Sequence, residues 1–187
     1  MTSTKEIKFN IAFINTCTEV EGPFRRVAIW FQGCDLRCPG CCNPHFQEIK
    51  AEHILSLEQV IEIVSESKAK NGIEGVTFSG GEPSLQIGLP ILARRLRDMD
   101  IGTIMYTGHY ARDLSDDLIN SMDLVIDGPF LVEKADKERK IIGSTNQRII
   151  VITERYRSNT VWYIENSRHK TEFNASDFLY VNGDVLS

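Results

Sequence analysis

An uninterrupted apolar run, Val27-Ala-Ile-Trp-Phe31, leads within three residues into a stretch holding four of the chain's five cysteines, Cys34 to Cys42. The run is the signature of a short strand covered on both faces, so the thiols must sit in a loop at that strand's C-terminal end. Bridges inside one short loop would constrain almost nothing in the rest of a 187-residue chain, which argues against a disulfide framework. Metal ligation is the better account. Cys34, Cys38 and Cys41 form C-x3-C-x2-C, with Cys42 adjacent and Cys17 far upstream. Structural zinc closes its tetrahedron with four ligands, usually as two separated pairs. No second C-x2-C pair and no H-x3-5-H pair is present, and His45 is the nearby residue able to complete such a site. Ferredoxin clusters take four cysteines at other spacings. A cubane held by three thiolates leaves one iron open to a substrate or cofactor, which serves chemistry rather than structure. Cys17 reads as a packed or idle thiol.

With 42% apolar and 25% charged residues, the chain suits one globular domain able to bury a full core. Net charge of −5 and pI near 5.4 argue against a nucleic-acid partner. No apolar run approaches the roughly 18 residues of a membrane span, and Met1 to Asn10 lacks a signal peptide's apolar core. Free thiols belong in a reducing compartment, so the cytoplasm is expected.

Lys8 to Asn15 alternates weakly, as a short strand or irregular lead-in. Ser56-Leu-Glu-Gln59 is a capping box, and Leu57, Val60, Ile61 and Val64 keep a helical stripe that Gly72 can end. Gly75 to Ser79 is a second strand running into Gly80-Gly81-Glu82-Pro83, Leu89 to Asp98 a second helix, and Gly102 to Thr107 a third strand. Asp113 to Met122 is a third helix, Leu124 to Asp127 a fourth strand, and Arg148 to Ile152 a fifth. Trp162-Tyr163-Ile164 and Phe178 to Val181 are further strand candidates. Alternation at this spacing predicts an α/β fold with a parallel sheet.

The C-x3-C-x2-C loop followed about forty residues later by Ser79-Gly80-Gly81-Glu82-Pro83 resembles the radical S-adenosylmethionine (SAM) enzymes. Within them the chain is most similar to the small activases of glycyl-radical enzymes, the anaerobic ribonucleotide reductase activating type. The resemblance extends to Glu21-Gly22-Pro23, Tyr106-Thr107-Gly108, Val125 to Phe130 and Gly143-Ser-Thr-Asn-Gln-Arg148. It implies an open partial (β/α) barrel of about five to six mostly parallel strands, with its chemistry at the strand C-termini. It implies a single domain over 1–187, with a core of about 20–154 and a C-terminal extension, 155–187, of no assigned role. By the same resemblance Cys34, Cys38 and Cys41 bind a [4Fe-4S] cluster whose fourth iron is chelated by SAM. One electron, from a flavodoxin- or ferredoxin-type donor, then cleaves SAM to a 5′-deoxyadenosyl radical that removes hydrogen from a glycine on a large partner.

Cofactor contacts are expected from Gly40, Cys42, Gly80, Gly81, Glu82 and Asp127, with Glu82 suited to SAM's ammonium. Cys42 would itself reach a cluster through C-x3-C-x3-C. Cys41 is preferred as ligand because relatives commonly carry tyrosine or histidine after the last cysteine. Taken alone, Gly-Gly-Glu-Pro is ordinary turn chemistry, and Asp127-Gly128 a frequent turn pair. Asn146 and Gln147 suit either a ligand contact or their own loop, and His45, His53, His109 and His169 read as surface or packed imidazoles, His45 alone being near the cysteine loop. Two other functions fit parts of the pattern: a radical SAM enzyme modifying a peptide or small molecule directly, and a non-catalytic iron-sulfur or zinc module. If the three-thiolate assignment holds, Cys34→Ala, Cys38→Ala and Cys41→Ala each abolish reductive SAM cleavage, whereas Cys42→Ala retains it. An inactive Cys42→Ala beside an active Cys41→Ala would move the third ligand by one residue.

Overall fold

The computed structural model describes residues 6–164, 171–175 and 179–183. In chain order these form β1 (Lys8–Thr18), β2 (Arg26–Phe31), β3 (His53–Ser56), α1 (Leu57–Asn71), β4 (Gly75–Gly80), α2 (Leu89–Asp98) and β5 (Gly102–Tyr106). There follow α3 (Asp116–Ser121), β6 (Leu124–Asp127), β7 (Arg148–Val151), α4 (Val161–Ile164), β8 (Thr171–Ala175) and β9 (Leu179–Gly183). Ser56 caps α1 through the reciprocal bonds of a capping box, and Gly72 closes it in the left-handed conformation at φ 64°. Pro90 sits in the first turn of α2, where its missing N–H costs nothing.

The main sheet runs β3-β1-β2-β4-β5-β6-β7, and β8 and β9 pair separately. Its middle is parallel, with β2 beside β4, β4 beside β5 and β5 beside β6. The flanking pairs β1–β2, β1–β3 and β6–β7 are antiparallel. The result is a mixed α/β sheet of seven strands, wider and less parallel than the sequence pattern predicts. Two strands fit that pattern poorly: β1, of which the sequence offers Lys8 to Asn15 as a short strand, and β3, which it does not announce. β1 is eleven residues long but shifts register twice against β2, between Ile11 and Phe13 and between Asn15 and Thr18, and each shift breaks the period of two. β3 is a half-exposed edge strand that buries none of its residues, so no apolar run announces it.

Smaller differences lie elsewhere. The third helix is shorter than its expected span: Ala111–Asp113 is a 3-10 turn, and α3 starts after Ser115, whose side chain accepts from the Leu118 N–H. Trp162 to Ile164 is helical rather than extended. Of the other tail candidate, Leu179 to Val181 lies in β9, and Phe178 falls outside the described residues.

One face of the sheet buries Val27, Ile29, Phe31, Val76, Phe78, Met105 and Val125 against Val60 and Val64 of α1, Leu92 and Leu96 of α2 and Leu118 of α3. Each such side chain contributes roughly 1.5–3 kcal/mol. The other face carries Ile104, Leu124 and Ile126 and is covered by Ile142, Tyr156 and Tyr163. Chain from either side of β7, Ile142 before it and Tyr156 and Tyr163 of α4 and its approach after it, therefore covers the face that α1, α2 and α3 leave free.

The chain after β7 also closes the N-terminal ends of the parallel strands. Arg26 is fully buried, a position tolerable only when the guanidinium is fully engaged. It donates to Thr77 Oγ1 at 2.7 Å, Val76 O at 3.3 Å, Tyr156 Oη at 3.2 Å and Pro23 O. Tyr156 in turn donates to Glu74 at 2.6 Å, and Arg155 pairs with Glu74 at 2.7 Å and Asp100 at 2.8 Å. Gly75 and Gly102 leave the space: a Cβ on Gly102 would lie 2.1 Å from Tyr156 Oη and 2.6 Å from Arg155 Nε.

Two outcomes follow from this packing. Gly102→Ala forces Tyr156 and Arg155 apart and lowers stability by about 1–3 kcal/mol, read as a reduced urea midpoint. Burial raises the phenol pKa values of Tyr106, Tyr156 and Tyr163, the last to about 12. Above about pH 10 the unfolded chain sheds phenol protons that the folded chain keeps, so stability falls by about 1.4 kcal/mol per pH unit for each such group. Denaturant titrations between pH 8 and 11 should show that slope, and Tyr163→Phe should reduce it.

Candidate functional site

β2, β4, β5 and β6 all point their C-terminal ends to the same edge of the sheet, because they are parallel to one another. Four loops therefore meet there. From β2 comes the cysteine loop, closed at its root where Gly33 N–H donates to Phe46 O at 2.8 Å and Cys34 N–H to Gln47 O at 3.1 Å. Buried Gln32 fastens the returning strand by donating to Glu48 O at 2.6 Å. Cys34 is buried, Cys38 and Cys41 are half-buried, Cys42 is exposed, and all are free thiols. Burial pushes the Cys34 thiol up. The neighbouring Cys42 thiol, with the Asn43 N–H that donates to Cys41 Sγ at 3.4 Å, holds the Cys41 thiol below the usual range. Gly40 turns the loop at φ 72° and faces Phe130 and Val132 beyond β6.

From β4 comes Gly80-Gly81-Glu82-Pro83. The Gly81 N–H donates to Phe31 O and the Glu82 N–H to Gly33 O, both at 2.8 Å. A Cβ on Gly80 would lie 2.3 Å from Phe31 N, and one on Gly81 2.1 Å from Gly33 O. These glycines let two strand exits touch backbone to backbone. Glu82 is 1% exposed. Its Oε1 accepts from Thr107 Oγ1 at 2.8 Å and Ser84 N at 2.9 Å, and Oε2 accepts from Gly108 N at 3.0 Å.

At the end of β6, Asp127 is wholly buried. It accepts from Ala111 N at 2.8 Å and from two nitrogens of Arg148, the residue opposite it on β7. Nearby, Asn146 donates to Pro129 O at 2.8 Å and Gln147 to Gly128 O at 3.0 Å. The buried Asn146 Oδ1 has no hydrogen-bond partner.

The six loop and strand-end positions expected to contact cofactor and the three expected ligands thus share one edge of the sheet. They differ in what their side chains already do. Glu82 and Asp127 are engaged by protein donors, and Arg148 emerges as Asp127's partner. No periodicity announces that pairing, although Arg148 lies within the Gly143 to Arg148 motif. Thr107, at the third strand's end where the sequence places pocket residues, and the following Gly108 and His109 reach the other three exits.

Among the described residues no three His, Cys, Asp or Glu side chains form a ready metal-ion site. A cubane takes each thiolate at a different iron and has no need of one common point. Three free thiols in a loop with two left-handed turns, at Arg37 and Gly40, suit it. The orphaned Asn146 acceptor and the crowded glycine backbone suit a polar cofactor above the strand ends.

Residues 20–150 match the family model described as a 4Fe-4S single cluster domain. The anaerobic ribonucleoside-triphosphate reductase-activating protein of Vibrio cholerae is 30% identical over 141 residues, which are 70% of this chain and 90% of that protein. The protein of the same name from Enterobacteria phage T4 is 28% identical over 145 residues, 73% of this chain and 90% of its own length. The pyruvate formate-lyase-activating enzyme of Clostridium pasteurianum is 32% identical over 111 residues, 57% of this chain and 46% of its own. With the thiol loop and the glycine-rich turn on one sheet edge, these matches mean that the chain belongs to the 4Fe-4S single-cluster family and, within it, to the radical SAM activases of glycyl-radical enzymes.

Proposed function

We propose that this enzyme activates an anaerobic ribonucleotide reductase by removing a hydrogen atom from a glycine of that large partner. The observation that carries the reading is the match to the Vibrio cholerae protein, which spans nine-tenths of a chain bearing that name. The cofactors are a [4Fe-4S] cluster and SAM. With an electron from a flavodoxin- or ferredoxin-type donor, they supply reductive SAM cleavage and hydrogen abstraction.

The chain's own residues hold and orient these groups. Cys34, Cys38 and Cys41 are assigned as cluster ligands. Gly40 and Cys42 flank the last of them, and Gly80 and Gly81 bring the β4 exit against the loop root. Glu82 has two carboxylate oxygens able to accept about four bonds, and its three protein donors leave one acceptor position for an ammonium. Asp127 is assigned a cofactor-side role through the Gly128 turn, whose carbonyl already holds Gln147.

The parallel middle of the sheet supports reading the fold as an open partial (β/α) barrel of a single domain, with the antiparallel flanks as additions. No helix of the described residues is long and apolar enough to cross a membrane. Free thiols favour a reducing, cytoplasmic setting.

The deciding experiment quantifies 5′-deoxyadenosine after anaerobic iron-sulfur reconstitution and incubation with SAM and a strong reductant. It is expected to form, and the partner reductase incubated in the same mixture is expected to acquire a glycyl radical signal. Cleavage without that signal would point to a different target. No cleavage despite a content of about four irons per chain would remove the enzymatic reading.

A further inference from the structure

We infer that His109 is a positioning residue that holds the cysteine loop in register with the SAM-binding edge, an inference that rests on the radical SAM reading above. Thr107-Gly108-His109, the exit of β5, touches every other exit. Thr107 Oγ1 and Gly108 N donate to Glu82 beyond β4. The His109 carbonyl accepts from Gly128 N beyond β6 at 2.9 Å. Toward the cysteine loop there are two contacts. Leu36 packs on Gly108 so closely that a Cβ there would lie 2.3 Å from Leu36 Cδ1, and His109 Nε2 lies 3.2 Å from Asp35 Oδ1.

Asp35 and Leu36 directly follow Cys34. The hydrogen bonds of the loop's root join Gly33, Cys34 and Gln32 to residues 46–48 and Gly33 to Glu82, while in its interior Gly40 faces Phe130 and Val132. The root bonds fix where the loop begins and ends, and leave the tilt of its interior to contacts such as that of His109 with Asp35. The backbone that carries the imidazole is fixed as well: the His109 backbone N–H donates to Thr107 Oγ1 at 3.1 Å, the hydroxyl that also binds Glu82. One short segment thereby couples the placement of the thiols to that of the Glu82 carboxylate.

The His109–Asp35 contact is partly exposed, with side chains 27% and 46% accessible. A pair so placed adds little to global stability. Its effect should appear in cofactor geometry and leave the melting temperature almost unchanged.

The test compares His109→Leu, which fills similar space without a hydrogen bond, with His109→Gln, whose amide can still donate to Asp35. Three readouts are iron and sulfide content, the SAM dissociation constant from the change SAM causes in the reduced cluster's EPR spectrum, and hydrogen exchange of residues 33–42 in the metal-free chain. Expected are full iron content in both variants, SAM binding weakened by about tenfold in His109→Leu but by no more than about threefold in His109→Gln, and faster loop exchange in the leucine variant alone. Unchanged SAM binding in His109→Leu, equal impairment of both variants, or unchanged loop exchange would overturn the inference. Failure of the wild-type protein to bind SAM would instead remove the radical SAM reading, and hydrogen exchange would still decide whether His109 tethers the loop.

Discussion

The Gly81 and Glu82 amides reach the Phe31 and Gly33 carbonyls at 2.8 Å, and the arrangement of the site depends on that contact. It continues the parallel pairing of β2 and β4 two residues past the point where both strands would otherwise diverge. A side chain at position 80 or 81 would put a carbon inside the neighbouring backbone, so the two glycines are required by the sheet before any ligand is considered. The same contact determines which way Glu82 points. Its carboxylate turns to the third exit and accepts from Thr107 and Gly108, so β2, β4 and β5 are joined in series.

A site built from strand exits needs the strands to be level at one edge, and helices packed on one face provide that. α1 and α2 bury Val60, Val64, Leu92 and Leu96 against β2, β4 and β5. The opposite face is left to later chain, where Tyr156, Tyr163 and Ile142 cover Ile104 and Ile126. Charge is distributed accordingly. Asp127 is buried beside Arg148 at the cofactor edge, and Arg26 is buried beside Tyr156 and Glu74 at the far edge.

Much of this was legible in the residues. β2, β4 and β6 are short apolar runs ending in chemistry-bearing loops, and α1 carries its own caps. What could not be read depends on distant partners. β1 loses its alternation to bulges, and β3 exists because Asn10 pairs with Ile54 across the sequence. Trp162 and Tyr163 look like strand residues, yet they pack as a helical turn over a face that only the assembled sheet creates. At the site, the positions of the thiols and glycines follow from spacing. The occupation of Glu82 and Asp127 by protein donors does not, because Thr107 and Arg148 reach them from 25 and 21 residues away.

The Arg26–Tyr156 bond joins residues 130 apart in sequence, and this bears on how the chain matures. During synthesis Arg26 and its acceptors on Pro23, Val76 and Thr77 emerge long before Tyr156, whose hydroxyl completes the set only once the chain beyond β7 is made. The family-matched region, 20–150, stops short of the residue that completes it. Closure of the sheet is therefore a late, non-local event of the kind that slows folding.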